Sequence, residues 1–164
     1  MDEMRGQRAI TAEREIVLTR VLDAPHEVVW KAWTDPKQMA QWWGPSCFTN
    51  PVCDLDVRTG GEIYIVMRSP DGYEYPMRGV FREIVPPERL VFLSAAEDKE
   101  GNRLLESLTT VTFAAQGDKT LLTVEAKAAG FVEAAVGMLG GMEAGWTQSL
   151  ERLDELVAQT VSSV

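Results

Sequence analysis

The chain has 164 residues, 45% of them hydrophobic, and a formal net charge of -9. This length predicts one domain with a single core, and the acidic charge argues against nucleic acid and anionic lipid as partners, because both bind to basic surfaces. The first residues lack the apolar core of a secretory signal and no apolar run reaches membrane-spanning length, so we expect a cytoplasmic protein without membrane insertion.

The N-terminal part of the sequence predicts an arm and then a strand. Residues 1–12 are polar and small, which is typical of a flexible arm, and we therefore place a single domain at 13–162. Residues 14–22 alternate between apolar and polar side chains and are rich in β-branched residues, so they predict the first strand.

Two short helices are predicted between residues 23 and 45, a segment that holds four of the five tryptophans: Trp30, Trp33, Trp42 and Trp43. Proline at or near the first helical position starts each helix, and Gly44 followed by Pro45 ends the second. We expect Trp33 and Trp43 to anchor the helices to the sheet. Stacking of the tryptophan rings on an aromatic ligand is the alternative.

Six further strands follow, and turn sequences separate them. They are predicted at 47–57, 62–68, 74–85, 90–95, 105–115 and 120–128. Short connections of this kind join antiparallel neighbours, so the pattern indicates a meander.

The last predicted element is a long helix from about residue 132 to residue 160, with apolar side chains recurring every three or four positions. The apolar face of a sheet must pack against another element, and we expect this apolar stripe of the helix to pack on it. Glycines at 137, 140, 141 and 145 each disfavour a helix by about 1 kcal/mol relative to alanine, so the segment is expected to begin as a loop or kink. Trp146 lies in the middle of the stripe, and we expect it to be buried beneath the sheet.

The chain resembles the START-like, or SRPBCC, superfamily in four segments that occur in the same order. They are the tryptophan-rich run at 24–45, DVRTGG at 56–61, MRGVFREIVPPERLVF at 77–92 and GWTQSLERL at 145–153. The branch is the one related to the ATPase activator of the ninety-kilodalton heat-shock chaperone. The resemblance implies an α+β helix-grip fold, in which a curved seven-stranded antiparallel sheet wraps a long C-terminal helix and two short helices follow the first strand.

The resemblance also implies a ligand pocket between the sheet and the C-terminal helix. Strand alternation and helical spacing select the side chains that face this space, and methionines among them adapt to irregular ligands. The predicted ligand-binding residues are Ile65, Met67, Met77, Phe81, Phe92, Val111, Met138, Met142 and Trp146. For each of them, a place in the plain core is the alternative interpretation.

The sequence contains no recognisable catalytic, metal or cofactor motif. His26 is the only histidine and is expected to face solvent at the start of a helix. Cys47 and Cys53 lie along one extended segment, too far apart for a disulfide, and are expected as free, mostly buried thiols. Polar groups that could enter the pocket are few, and exposure at strand ends is the alternative for each: Tyr75, Glu83 and Glu106.

The first functional hypothesis is a binding domain for a small apolar or aromatic molecule, without an enzymatic activity. The resemblance implies two alternatives, an enzyme of the polyketide cyclase or hydratase kind and a co-chaperone that stimulates the heat-shock ATPase. The co-chaperone is the less favoured, because a chain of this length leaves no room for an additional chaperone-binding domain. The sequence determines neither the ligand nor the oligomeric state, and a homodimer stays open.

Overall fold

Seven antiparallel strands form one sheet in the part of the chain that the structure, a computed structural model, describes: residues 10, 12–98 and 100–162. The strand order across the sheet is β1-β7-β6-β5-β4-β3-β2, so each strand from β2 to β7 pairs with its neighbour in sequence and β1 closes against β7. In chain order the elements are β1 (Ala12–Leu22), α1 (His26–Thr34), α2 (Pro36–Trp42), β2 (Thr49–Leu55), β3 (Glu62–Arg68), β4 (Glu74–Val85), β5 (Arg89–Glu97), β6 (Arg103–Gln116), β7 (Lys119–Gly130), α3 (Ala134–Gly140) and α4 (Met142–Ser162).

The predicted α+β architecture is confirmed. Every predicted strand is present, with ends that differ from the predicted ones by at most two residues. Residues 1–9 and 11 of the predicted arm lie outside the described residues, and β1 already includes Ala12.

Helices α1 and α2 form where the prolines and the aspartate predicted them. The Asp35 carboxylate accepts a hydrogen bond from the backbone N–H of Lys37 at 3.0 Å, and Pro36 occupies the first helical turn. The two helices bury Trp33 and Trp42 completely, with ring centroids 4.6 Å apart in an edge-to-face contact. Trp33 therefore anchors its helix, as predicted.

The predicted C-terminal helix is divided into two. Helix α3 ends at Gly140, and Gly141 interrupts the helical backbone with φ −91° and ψ 0° before α4 begins at Met142. The glycines lower helix stability at this point, which is the physical reason for the break. The second half follows the predicted stripe, and Leu150, Leu153 and Val157 are buried in the core against the sheet and α1.

Side chains of α4 hold the backbone of the loop that follows α2. The Arg152 guanidinium donates to the carbonyl oxygens of Gln41, Trp43, Gly44 and Pro45 at 2.9–3.1 Å. The Ser149 hydroxyl accepts from the Gly44 N–H at 3.1 Å, and the Gln148 side chain accepts from the Ser46 N–H at 3.0 Å. These three side chains, which we call the α4 clamp, join two of the sequence segments that carry the family resemblance.

The close pairing of β4 and β5 requires glycine at position 79. A Cβ atom there would lie 2.4 Å from the Leu93 carbonyl oxygen and 3.2 Å from the Ser94 Cα, and both are backbone atoms. We expect Gly79→Ala to lower the free energy of unfolding by about 1–3 kcal/mol, since the strands must separate to admit the methyl group. Urea denaturation of the purified variant measures this.

The matched control is Gly137→Ala in α3, where an added Cβ would meet no atom within 4 Å. This substitution should leave stability unchanged or raise it by about 0.5–1 kcal/mol, because alanine favours the helix. Equal effects of the two substitutions would contradict the strand pairing described here.

The α4 clamp generates a second prediction. Arg152→Met keeps the apolar stem but removes a donor from four carbonyl groups, of which those of Trp43 and Pro45 still accept from the Asn50 side chain and the Phe48 N–H. We expect a loss of about 2 kcal/mol in the free energy of unfolding. Arg58→Met is the control, because the Arg58 side chain is 73% exposed and its partner is the neighbouring Asp56 carboxylate. A thermal melt of Arg152→Met that superimposes on the wild-type melt would show that the clamp is dispensable.

Candidate functional site

A cavity of about 460 Å³ lies between the inner face of the sheet and helices α3 and α4. Its floor is formed by strands β3 to β7, its roof by the two helices, and one side by the loop after α2. The residues that line it are Trp43, Gly44, Pro45, Phe48, Met67, Tyr75, Pro76, Met77, Ser94, Ala96, Leu105, Ser107, Thr109, Ala128, Met138, Leu139, Gly141, Met142, Gly145, Trp146 and Ser149.

The cavity exists because inward-facing side chains become smaller toward one end of the sheet. Along β7 the inward positions read Leu122, Val124, Ala126, Ala128 and Gly130. The inward positions of β5 read Leu90, Phe92, Ser94 and Ala96, and those of β6 decrease from Phe113 through Val111 and Thr109 to Ser107 before Leu105 is reached. The register places the small residues of the three strands side by side. From β4 to β7, one row therefore has only small side chains: Gly79, Ser94, Ser107 and Ala128. The row continues with Ile63 on β3 and Arg14 on β1. This small-residue row leaves the space that the helices do not fill.

The opposite end of the inner face is solid core. Phe81, Phe92 and Phe113 are each 2% exposed, and Trp33 packs on the last two with ring centroids 6.4 and 6.1 Å apart. Large side chains at these positions belong to the same buried cluster as those of α1 and α4. The same sheet thus carries a packed half and a hollow half.

The aromatic wall of the cavity consists of Trp43 and Trp146, whose ring centroids are 5.4 Å apart. The prediction that Trp146 is buried beneath the sheet was wrong: the residue is half-buried, because the cavity takes the place of protein atoms on one side of its ring. Its other side stacks on Trp33 at 6.1 Å. Trp43 was predicted as an anchor and is also half-buried and cavity-lining, while the fully buried anchors are Trp33 and Trp42.

The cavity opens to solvent next to Tyr75 and Met138, which line it and are 42% and 37% exposed. The Phe48 ring lies 6.0 Å from that of Tyr75 and belongs to the same edge. Gly44 adopts φ +97°, and a Cβ there would lie 2.9 Å from the Met67 sulfur. The loop after α2 can therefore approach the cavity closely only with glycine at this position.

The structure brings five of the nine predicted ligand-binding residues to the cavity and leaves four in the core. Met67, Met77, Met138, Met142 and Trp146 line it. The other four, at most 2% exposed, belong to the packed core and do not line the cavity: Ile65, Phe81, Phe92 and Val111. The prediction chose inward positions with bulky side chains. Bulky side chains fill the space around them, so these four positions lie in the packed core. Ligand contact by the five lining residues stays a prediction.

Sequence reasoning missed the polar and small part of the lining. Ser94, Ser107, Thr109 and Ala128 all lie at inward positions of predicted strands. The signal that could have found them is the decrease in side-chain size along three neighbouring strands, read together with their antiparallel register.

The other polar candidates lie away from the cavity, with the exception of Tyr75. A β-bulge between Phe81 and Glu83 shifts the register, and Glu83 is exposed and paired with Arg89 at 2.8 Å. Glu106 points to the outer face and pairs with Arg103; its side chain is only 12% exposed, more buried than expected for a strand end.

The cysteines and the histidine do not form a reactive group. Cys47 is exposed, contrary to the expectation of a mostly buried thiol, because it lies in the turn before β2 rather than in the strand. Burial and the nearby Asp54 carboxylate raise the pKa of Cys53 to about 11, so this thiol stays protonated at neutral pH. His26 contacts the Glu27 carboxylate at 3.0 Å at the start of α1.

The described part of the chain has neither a cluster of metal-binding side chains nor a helix that could span a membrane. Within residues 10, 12–98 and 100–162, no three His, Cys, Asp or Glu side chains are grouped so that they could hold a metal ion. Over the same residues, no helix combines the length and the apolar character needed to cross a membrane.

Comparison with solved structures shows that the fold is shared with proteins from several bacteria. A protein from Nitrosomonas europaea is 26% identical, with 90% of this chain and 96% of that chain covered and a TM-score of 0.72. A protein from Chromobacterium violaceum is 28% identical, with 88% and 97% covered and a TM-score of 0.70. The AHSA1 protein from Silicibacter pomeroyi is 23% identical, with 92% of this chain and 100% of that chain covered and a TM-score of 0.73. At this identity the comparison supports the fold alone.

No curated protein matches the chain in a sequence comparison. A family model does match, over residues 23–158, and its description is "Activator of Hsp90 ATPase homolog 1-like protein". The matched range runs from the start of the tryptophan-rich segment to the last turns of α4, and it includes the α4 clamp and the loop that the clamp holds. The chain therefore belongs to the Activator of Hsp90 ATPase homolog 1-like family, within the START-like, or SRPBCC, superfamily.

Proposed function

We propose that this protein binds a small apolar or aromatic molecule in the cavity between the sheet and helices α3 and α4. The observation that carries the proposal is the cavity itself, which at about 460 Å³ lies in the range of small-molecule sites. It is open to solvent next to Tyr75 and Met138, so a ligand can enter without unfolding of the sheet.

The lining favours flat and irregular apolar ligands. Four methionines contribute to it, and their unbranched side chains adapt to ligands of different shape. The Trp43 and Trp146 rings meet edge to face, with an interplanar angle of 83°, and offer an aromatic ligand both a ring face and a ring edge.

Binding is favoured over bond breaking by the chemical nature of the lining. Apart from apolar groups, it consists of serine and threonine hydroxyls and the Tyr75 phenol. General acid–base catalysis near neutral pH depends on a group whose pKa lies near the working pH, such as histidine or a buried carboxylate. Hydroxyl groups instead orient a ligand by hydrogen bonds.

Filling the cavity should weaken binding without unfolding the protein. The neutral fluorescent probe N-phenyl-1-naphthylamine is expected to bind with a Kd of about 1 μM, equivalent to about 8 kcal/mol. Met77→Trp places a larger side chain at the floor of the cavity and should raise this Kd more than tenfold. The measurement is a fluorescence titration, with a melting curve for each variant.

Val17→Trp is the matched control, because Val17 is 58% exposed on the opposite face of the sheet, where a larger side chain meets solvent. Its Kd should equal that of the wild type. Probe binding that survives Met77→Trp, or that appears only in partly unfolded protein, would show that the cavity is not a binding site.

Native mass spectrometry of the freshly purified protein tests the same proposal without a chosen probe. An adduct of constant mass that is lost in Met77→Trp would identify the ligand class. Conversion of a bound polyketide would favour the cyclase or hydratase alternative, and a raised ATPase rate of the heat-shock chaperone would favour the co-chaperone alternative.

A further inference from the structure

Three hydroxyl groups are gathered on the floor of the cavity. Ser94 on β5 and Ser107 on β6 are directly opposite each other in the strand register, which places their Cβ atoms about 5 Å apart. Thr109 follows two residues after Ser107 on the same face, about 7 Å along the strand. All three residues line the cavity.

These hydroxyls are available to a ligand. Within the described part of the chain, the side chains of Ser94, Ser107 and Thr109 make no hydrogen bond to another protein group. Thr109 is only 1% exposed, so the cavity is the place where its hydroxyl can find a partner. Ser149, a further hydroxyl of the lining, already accepts from the Gly44 N–H and donates to the Gly145 carbonyl oxygen.

The roof opposite the hydroxyls is apolar. Met138, Leu139, Met142 and Trp146 project from α3 and α4, and the break at Gly141 lies between the first two and the last two. A ligand in the cavity therefore meets hydrogen-bonding groups on one side and hydrocarbon or aromatic surface on the other. Such a division fixes the orientation of an amphipathic molecule.

The lining is also electrically neutral. Among the described residues, no Asp, Glu, Lys, Arg or His side chain lines the cavity. Arg14 lies next to Ala128 in the register, but its guanidinium donates to the Leu139 and Gly140 carbonyl oxygens and pairs with Glu143 at 2.9 Å. An ionised ligand group would lose its hydration without gaining an opposite charge, which is unfavourable.

We infer that the cavity selects an uncharged amphipathic ligand: an apolar, ring-containing body with one neutral hydrogen-bonding group, such as a hydroxyl or carbonyl, seated on Ser94, Ser107 and Thr109. This inference rests on the proposed function and names the ligand class of the same site. A serine hydroxyl can donate to a carbonyl or accept from a hydroxyl, so both groups are accommodated.

The test uses three compounds that share one ring system: 2-methylnaphthalene, 2-naphthalenemethanol and 2-naphthoate. Each is titrated against the protein loaded with N-phenyl-1-naphthylamine, and its Kd is obtained from displacement of the probe. We expect the wild type to bind the alcohol at least tenfold more tightly than the carboxylate, because the lining offers hydroxyls and no positive charge.

The variant that isolates the hydroxyls is Ser94→Ala/Ser107→Ala. This variant should bind 2-naphthalenemethanol about tenfold more weakly than the wild type does, because the alcohol loses hydrogen bonds. Its affinity for 2-methylnaphthalene should be unchanged or slightly higher, because that compound makes no hydrogen bonds. Thr110→Ala is the control: it removes a hydroxyl from the same strand at a position that does not line the cavity. If the double variant does not fold, each single serine variant should show about a threefold effect on the alcohol alone.

The outcomes separate this inference from the proposed function. If the probe does not bind the wild type, the binding function itself fails. If the probe binds but the carboxylate competes as well as the alcohol, the selection for neutral ligands is refuted. If the double variant binds the alcohol and 2-methylnaphthalene more weakly by the same factor, the role of the hydroxyls is refuted. The cavity would then be an apolar site without selectivity.

Discussion

The gradient of side-chain size across the inner face of the sheet is the constraint on which the rest of the structure depends. Protein interiors are packed to nearly crystalline density, so the volume of inward-facing side chains decides where helices can approach. Where Phe81, Phe92 and Phe113 face inward, they form one buried cluster with Trp33 and with apolar side chains of α4. Where the small-residue row faces inward, helices α3 and α4 do not reach the floor, and a cavity remains.

The gradient also explains why the tryptophans have different environments despite being close in sequence. Trp33 lies over the bulky half, Trp42 packs against Trp33, and both are completely buried. Trp43 and Trp146 lie at the boundary, with protein on one side and the cavity on the other. One continuous set of ring contacts thus links the packed core to the aromatic wall of the cavity, which makes that wall rigid.

The α4 clamp determines how the open side of the site is built. The loop after α2 has several backbone carbonyl groups without partners in a helix or strand, and such groups need donors when they approach the protein interior. Arg152 donates to three of them and to the Gln41 carbonyl oxygen at the end of α2, and Ser149 and Gln148 accept from N–H groups of the same loop. The tryptophan-rich segment and the GWTQSLERL segment, far apart in the chain, therefore form one unit at the cavity.

Local patterns in the sequence determined the elements and their order, because alternation, helical spacing and proline or glycine punctuation act within a few residues. They placed all seven strands, both short helices and the weak point near Gly141. Local patterns could not separate Met77, which lines the cavity, from Phe81, which is core, since both are apolar and inward-facing. That distinction depends on which side chains lie opposite each other on neighbouring strands and on how closely α3 and α4 can approach the sheet. Only the tertiary structure decided it, because cavity volume is a property of many side chains brought together and not of any one segment.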